Sequence, residues 1–223
     1  STTDGVISVA SSKFSDSAGN ENADGSDSNN TLTLSVDTVR PTIAITSSAS
    51  SLKAGETTTV TFTLSETSSN FVEEDISVSG GSLSSFAASS STVYTATFTP
   101  TADSTTDGVI SVASSKFSDS AGNENADGSD SNNTLTLSVD TVRPTIAITS
   151  SASSLKAGET TTVTFTLSEA ASDFIEGDIS VSGGSLSSFA SSSSTVYTAT
   201  FTPTAGSTTD GVISVASSKF SDS

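Results

Sequence analysis

Apolar residues alternate with threonine and serine along most of this chain. Within residues 41–143 that alternation recurs in seven short runs. Residues 42–46 carry Ile43 and Ile45, and 58–65 carry Val60, Phe62 and Leu64. Residues 75–79 carry Ile76 and Val78, and a shorter run holds Leu83 and Phe86. Residues 93–99 carry Tyr94, Ala96 and Phe98, 108–114 carry Ile110 and Val112, and 134–139 carry Leu135, Leu137 and Val139. A period of two sends one face inward and the other to solvent, so each run predicts a strand. No helical period is present. Gly80-Gly81 predicts a turn, and the serine-rich stretches 47–51 and 89–91 read as loops.

The pattern repeats. STTDGVISVASSKFSDS begins at Ser1, Ser104 and Ser207, a spacing of 103 residues. Residues 1–40 equal 104–143. Residues 41–120 differ from 144–223 at seven positions: Thr67/Ala170, Ser68/Ala171, Asn70/Asp173, Val72/Ile175, Glu74/Gly177, Ala88/Ser191 and Asp103/Gly206. This period suits one sandwich domain per repeat rather than a small solenoid unit. The boundary falls at VDTVRP, where Pro41 and Pro144 cannot continue a ladder. The expected organisation is the C-terminal part of a repeat in 1–40, a complete repeat in 41–143, and a repeat lacking its last loop and strand in 144–223. On that reading, residues 18–40 of one molecule match what 144–223 of another lack. Seven strands in about 100 residues predict tandem all-β, two-sheet Ig-like sandwiches without the Cys…Trp…Cys pattern of antibody domains.

Composition narrows the chemistry. The chain has 223 residues, 25 acids against 7 bases, a formal charge of −18, and no His, Cys, Met or Trp. That charge argues against nucleic acid and anionic membrane as partners. No apolar run is long enough to span a membrane, and none resembles a signal peptide. Without His or Cys an ordinary hydrolase site or a thiolate metal site is hard to build, so no enzyme is expected. What remains is carboxylate, amide, hydroxyl and carbonyl oxygen, the donors that suit calcium.

With strands lettered A to G, the acids gather at one pole. The BC loop holds Glu66, Glu73, Glu74 and Asp75. The FG loop holds Asp119, Glu124, Asp127 and Asp130. The linker brings Asp37, and the EF loop of a preceding repeat brings Asp4, or Asp107 and Asp103 at the next joint. Each close pair of such charges costs ~1 kcal/mol in water at ~4 Å, which a cation relieves. Asn123-x-Asn125-x-Asp127-Gly128 echoes half of an EF-hand loop but lacks its opening Asp and closing Glu. Three other readings stand beside calcium. The acids could serve solubility alone. A carboxylate-pair glycosidase would need an aromatic-lined cleft, which two Tyr and no Trp do not suggest. The TxT spacing of residues 57–63 fits a flat ice-binding face, or simply the solvent side of a strand.

VDTVRPTIAITSSASSLKAGETTTVTFTLSE, the F-x-E-x-DISVSGGSL run, TATFTPTA and FSDSAGN together resemble the bacterial Ig-like extender repeats of giant RTX adhesins, including ice-binding adhesins of marine Gram-negative bacteria. The resemblance spans the whole period. It implies an extracellular calcium-stiffened spacer, anchored at the outer membrane and carrying a distal ligand-binding region through other parts of the protein. Its partners would be neighbouring identical repeats. It implies calcium ligands at Asp37 and Asp140, Glu66 and Glu169, Asp75 and Asp178, and Asp16, Asn20, Asp119 and Asn123; the acid count adds Asp107 and Asp127. The glycine-rich nonapeptides of the RTX class are absent, and Glu74 and Asp103 become glycine in the next repeat, which removes both from the ligand set. The alternative function is a repeat that itself binds glycan, protein or ice.

Overall fold

Alternation becomes strands wherever a β-branched or aromatic residue can face a core. The computed structural model describes residues 2–23, 28–127 and 130–222. Ser1–Thr141 form one compact unit and Val142–Ser223 a second. The first unit opens with a hairpin of β1 (Gly5–Ser8) and β2 (Thr31–Leu34), paired antiparallel from Gly5↔Leu34 to Ser8↔Thr31.

The following repeat holds β3 (Ile43–Ser47), β4 (Ser51–Lys53), β5 (Thr58–Leu64), β6 (Ile76–Ser79), β7 (Gly81–Ala88), β8 (Val93–Pro100), β9 (Gly108–Val112) and β10 (Thr134–Asp140). One sheet runs β3-β5-β8-β7 and the other β4-β10-β9-β6. This is an Ig-like sandwich, with A, B, E and D opposite C, F and G. Eight strands rather than seven are present among the described residues. The extra one, β4, starts at the end of the serine-rich stretch 47–51 that reads as a loop, and it pairs parallel to β10 at Ser138↔Ser51 through Asp140↔Lys53. Its single buried side chain is Leu52. Three residues are too few for an alternation to show in sequence.

The second unit repeats this plan. β11 (Ile146–Ser150), β12 (Thr161–Leu167), β15 (Val196–Pro203) and β14 (Gly184–Ser191) form one sheet in the order β11-β12-β15-β14, and β13 (Ile179–Ser182) pairs with β16 (Val212–Val215) in another.

The first sandwich closes over Ile43, Val60, Phe62 and Phe98 from one sheet and Ile110, Val112 and Leu137 from the other. Phe71, from the BC loop, meets Phe62, Tyr94 and Phe117 edge-on at 5.9, 5.1 and 5.2 Å between ring centres. Such contacts add ~0.5–1.5 kcal/mol each beyond area burial, and they tie the BC and FG loops to the sandwich core. The outward faces are mostly threonine and serine, so these rings carry much of the packing.

Phe98 fits only because its neighbours have no side chain. A methyl group at Gly108 would sit 2.5 Å from the Phe98 ring, and one at Gly81 would meet the ring at 2.5 Å and the Thr99 carbonyl oxygen at 2.4 Å. Gly211 and Gly184 stand in the same relation to Phe201. Gly108→Ala should therefore destabilise the first unit by about 2 kcal/mol, lowering its melting temperature by roughly 10 °C. Calorimetry of Gly108→Ala with and without Phe98→Leu checks this. The smaller ring-free side chain should recover part of the loss, and strict additivity would refute the clash.

Candidate metal centre

The loop after β9 is built by its own polar side chains. Asn125 is fully buried, and its Oδ1 accepts from the amides of Lys116 and Phe117 at 2.7 and 3.1 Å. Its Nδ2 donates to the Ala113 carbonyl at 3.0 Å. Every polar atom of that amide thus has a partner, which burial demands. Asn22 makes the same three bonds to Lys13, Phe14 and Ala10 in the first hairpin. There Phe14 is 64% exposed, whereas Phe117 is 1% exposed. The loop conformation is accordingly local and does not depend on the core beneath it.

Asp119 opens the DSAGN segment. Its Oδ1 accepts from the amides of Ala121 and Asn123, both at 2.9 Å, and its Oδ2 accepts from Asn123 Nδ2 at 2.9 Å. Gly122 closes the turn at φ +92°, a left-handed conformation that suits glycine. Asp16, Asn20 and Gly19 repeat this geometry, with Gly19 at φ +88°. The Asn123 side chain lowers the proton affinity of Asp119 most, and the loop amides add to it; Asn20 does the same for Asp16. Both carboxylates are held as anions.

Asp119 is nearly buried and faces two further acids. Asp37, in the linker, and Glu66, just beyond β5, each bring one carboxylate oxygen to it, and the three oxygens lie within 4.8 Å of one another. Asn123 Nδ2 also donates to the Asp37 carbonyl at 3.2 Å, fastening the linker to the loop. Glu66 Oε1 is buried without a hydrogen-bond partner. Burial, then the charges of Asp37 and Asp119, push the Glu66 carboxyl up from its ordinary value of 4.5. None of the three meets a lysine or arginine among the described residues.

This arrangement fits a hard divalent cation. Two oxygens on one calcium, each ~2.3–2.6 Å from it, cannot lie more than ~5 Å apart. Three mutually close carboxylates satisfy that limit, and the unpartnered Glu66 oxygen is an acceptor in want of a positive partner. The donor set is oxygen only, as calcium prefers.

The other expected ligands lie elsewhere or serve the loop. Asn123 braces Asp119 and the linker through its nitrogen. Asp75 and Asp178 cap their own single turns, accepting from the amides of Val72 and Ile175 at 3.0 Å. Asp127 Oδ1 accepts from the Ile43 amide at 2.7 Å, pinning β3, and its Oδ2 is buried and unpartnered. Asn125 and Asp127 of the EF-hand echo thus act as internal braces, while Gly128 lies outside the described residues. Asp107 precedes β9, at the far end of that strand from Asp119, with its carbonyl against Gly80. Asp16 and Asn20 are exposed on the first hairpin. Asp140 closes β10 in the first unit. In the second unit Glu169 and Asp222 bring carboxylate oxygens within 4.8 Å of each other. Asp222 is the residue that sequence reasoning passed over, although one period beyond Asp119 points to it.

Residues 37–136 and 140–223 match the bacterial Ig-like domain family, and the chain belongs to that family. No curated protein sequence matches the chain. Among solved structures it is similar to FdeC, a broadly conserved Escherichia coli adhesin eliciting protection against urinary tract infections. That match has 20% identity and a TM-score of 0.44, and it covers 78% of this chain and 60% of the other. It is also similar to invasin, a bacterial integrin-binding protein, at 15% identity and a TM-score of 0.41, covering 95% of this chain and 55% of the other. The chain therefore spans 60% or less of either solved chain.

The raised Glu66 carboxyl carries a sign. An acid that binds its proton more tightly when folded favours the folded state at low pH, and that contribution is lost as pH rises through the raised value. Glu66→Gln should therefore make the cation-free protein more stable at pH 7, with little gain at pH 4. Thermal melts in chelator across that range measure the difference. An equal shift at both pH values would show that Glu66 is not strained by its neighbours.

Proposed function

We propose that the chain is part of a calcium-stiffened extender of a bacterial cell-surface adhesin, a spacer that projects a distal ligand-binding region. The observation that carries this reading is the meeting of the linker carboxylate Asp37 with Glu66 and Asp119 of the domain it enters. A cation bound there crosslinks linker and domain. Asp37, Glu66 and Asp119 hold it. Asn123 orients both the linker and Asp119. Glu169 and Asp222, the counterparts of Glu66 and Asp119 one period on, are assigned the same roles in the second unit. Membership of the bacterial Ig-like family and the sequence resemblance to RTX adhesin extenders support a surface location and neighbouring repeats as partners. The reading is non-catalytic.

The energetics suit a stiffener. Extracellular modules bind calcium with dissociation constants of ~0.1–1 mM, so ten- to hundredfold excess adds ~1.4–2.7 kcal/mol to the bound state. That is a large share of the ~5–15 kcal/mol margin of a typical domain. Loss of linker freedom comes with it. Near-identical repeats also suit a part whose job is length, each domain adding ~40 Å of reach from its strands and loops.

Small-angle scattering of the full chain in calcium and in excess EDTA tests the proposal. Chelation should shorten the maximum dimension and broaden the ensemble, and Asp37→Asn with Asp140→Asn should copy the EDTA profile in calcium. Superimposable profiles in calcium and EDTA would overturn the stiffening role.

A further inference from the structure

Five of the seven differences between the repeats fall within residues 67–74, beside the metal centre. Two of them are coupled. In the first unit Ser68 Oγ donates to Asn70 Oδ1 at 2.9 Å, and the same oxygen accepts from the Ser118 amide at 3.0 Å. Ser118 immediately precedes Asp119, and Ser68 itself bridges to Asp119 through the backbone. In the second unit Ala171 replaces Ser68, so that hydroxyl is gone, and Asp173 replaces Asn70. Asp173 accepts from the Ser221 amide at 3.0 and 3.1 Å and from Ser221 Oγ at 2.7 Å. Ser221 immediately precedes Asp222. The BC loop is held from below alike in both units, since Tyr94 donates to the Ser68 carbonyl at 3.1 Å and Tyr197 to the Ala171 carbonyl at 2.7 Å.

We infer that positions 70 and 173 position the carboxylate that follows their serine, and that the paired exchange of Ser68 and Asn70 for Ala171 and Asp173 turns a neutral brace into an anionic one, giving the repeats two classes of divalent-cation affinity. The exchange preserves acceptor and donor matching. An amide oxygen shared by a hydroxyl and a backbone N–H becomes a carboxylate taking both donors of one serine. What changes is a full negative charge one residue from the ligand Asp222. That charge attracts a cation and repels Asp222 when the cation is absent, so both effects favour uptake. The Ser221 amide and hydroxyl also hold the Asp173 carboxyl below its usual range, which keeps it ionised. The Glu74 to Gly177 exchange removes an acid from the neighbouring exposed turn and takes no part in either brace. The affinity difference rests on the calcium reading above; the positioning role does not.

The full chain tests both parts. The first experiment follows amide hydrogen exchange of Ser118 and Ser221 by NMR in excess chelator. Asn70→Ala should speed exchange at Ser118 about tenfold or more, and Asp173→Ala should do so at Ser221, while the combined Ser68→Ala and Asn70→Asp variant keeps Ser118 protected. Unchanged exchange in the alanine variants overturns the brace. The second experiment is calcium titration calorimetry. Ser68→Ala with Asn70→Asp should tighten the weaker class about fivefold, and Ala171→Ser with Asp173→Asn should weaken the tighter class by a similar factor. Calcium uptake that ignores both exchanges overturns the charge effect with the calcium reading intact. A wild-type chain that takes up no calcium overturns the calcium reading and the affinity classes together, and leaves the brace to be decided by exchange.

Discussion

A long loop in an all-β domain has no ladder to satisfy its backbone, and that constraint shapes this protein. The FG loop meets it with side chains that imitate backbone. Asn125 supplies one acceptor and one donor to three peptide groups, and Asp119 supplies two oxygens to the turn beyond it. Asp127 extends the device to β3 by accepting from the buried Ile43 amide. Losing Asn125 or Asp127 would leave the buried Phe117 or Ile43 N–H unpaired at ~1–3 kcal/mol, a large fraction of a domain's margin. The acids and amides of the loop are therefore structural before they are anything else. Their placement of Asp119 against the linker is what makes a site possible.

The site is the place where that structural logic leaves charge unbalanced. Asp119 has its charge spread over loop amides, and Asn123 holds it low. Glu66 has no such help, and its neighbours are two more anions. Repulsion between partly buried charges could have been relieved by a lysine or arginine, and the chain has seven of them. Among the described residues none stands there. A domain held by small residues and a few edge-on rings has little margin to absorb such repulsion. This is the physical reason to regard linker, BC loop and FG loop as one functional unit.

Much of this was legible in the chain. The two-residue period predicts the seven longer strands and their sandwich, and the 103-residue repeat frames them. Asp37, Glu66 and Asp119 stand out as acids at one pole, because strand order alone brings the linker and the BC and FG loops together. Other features were hidden for definable reasons. β4 is too short to show a period. The acid count could not separate Asp75 and Asp127, which accept from their own turn or from β3, from acids left facing one another. Composition treats every Asp alike, whereas backbone amides decide which of them have charge to spare. The EF-hand echo takes in Asn125 because buried amide braces and ligand amides occur in the same loop chemistry.

The pattern of difference between repeats follows from the same division of labour. The ring-and-glycine packing of Phe98 with Gly81 and Gly108 recurs without change at Phe201, Gly184 and Gly211, because a single added methyl finds no room. The DSAGN turn recurs because its glycine is left-handed and its Asp carries the loop. The BC loop has more freedom. Its backbone is pinned by one tyrosine hydroxyl to a carbonyl, a bond indifferent to the side chain at that position. Serine can become alanine there, and asparagine can become aspartate, provided the donors and acceptors still match. Repeats can thus share an invariant scaffold while differing in the charge carried by their BC loops.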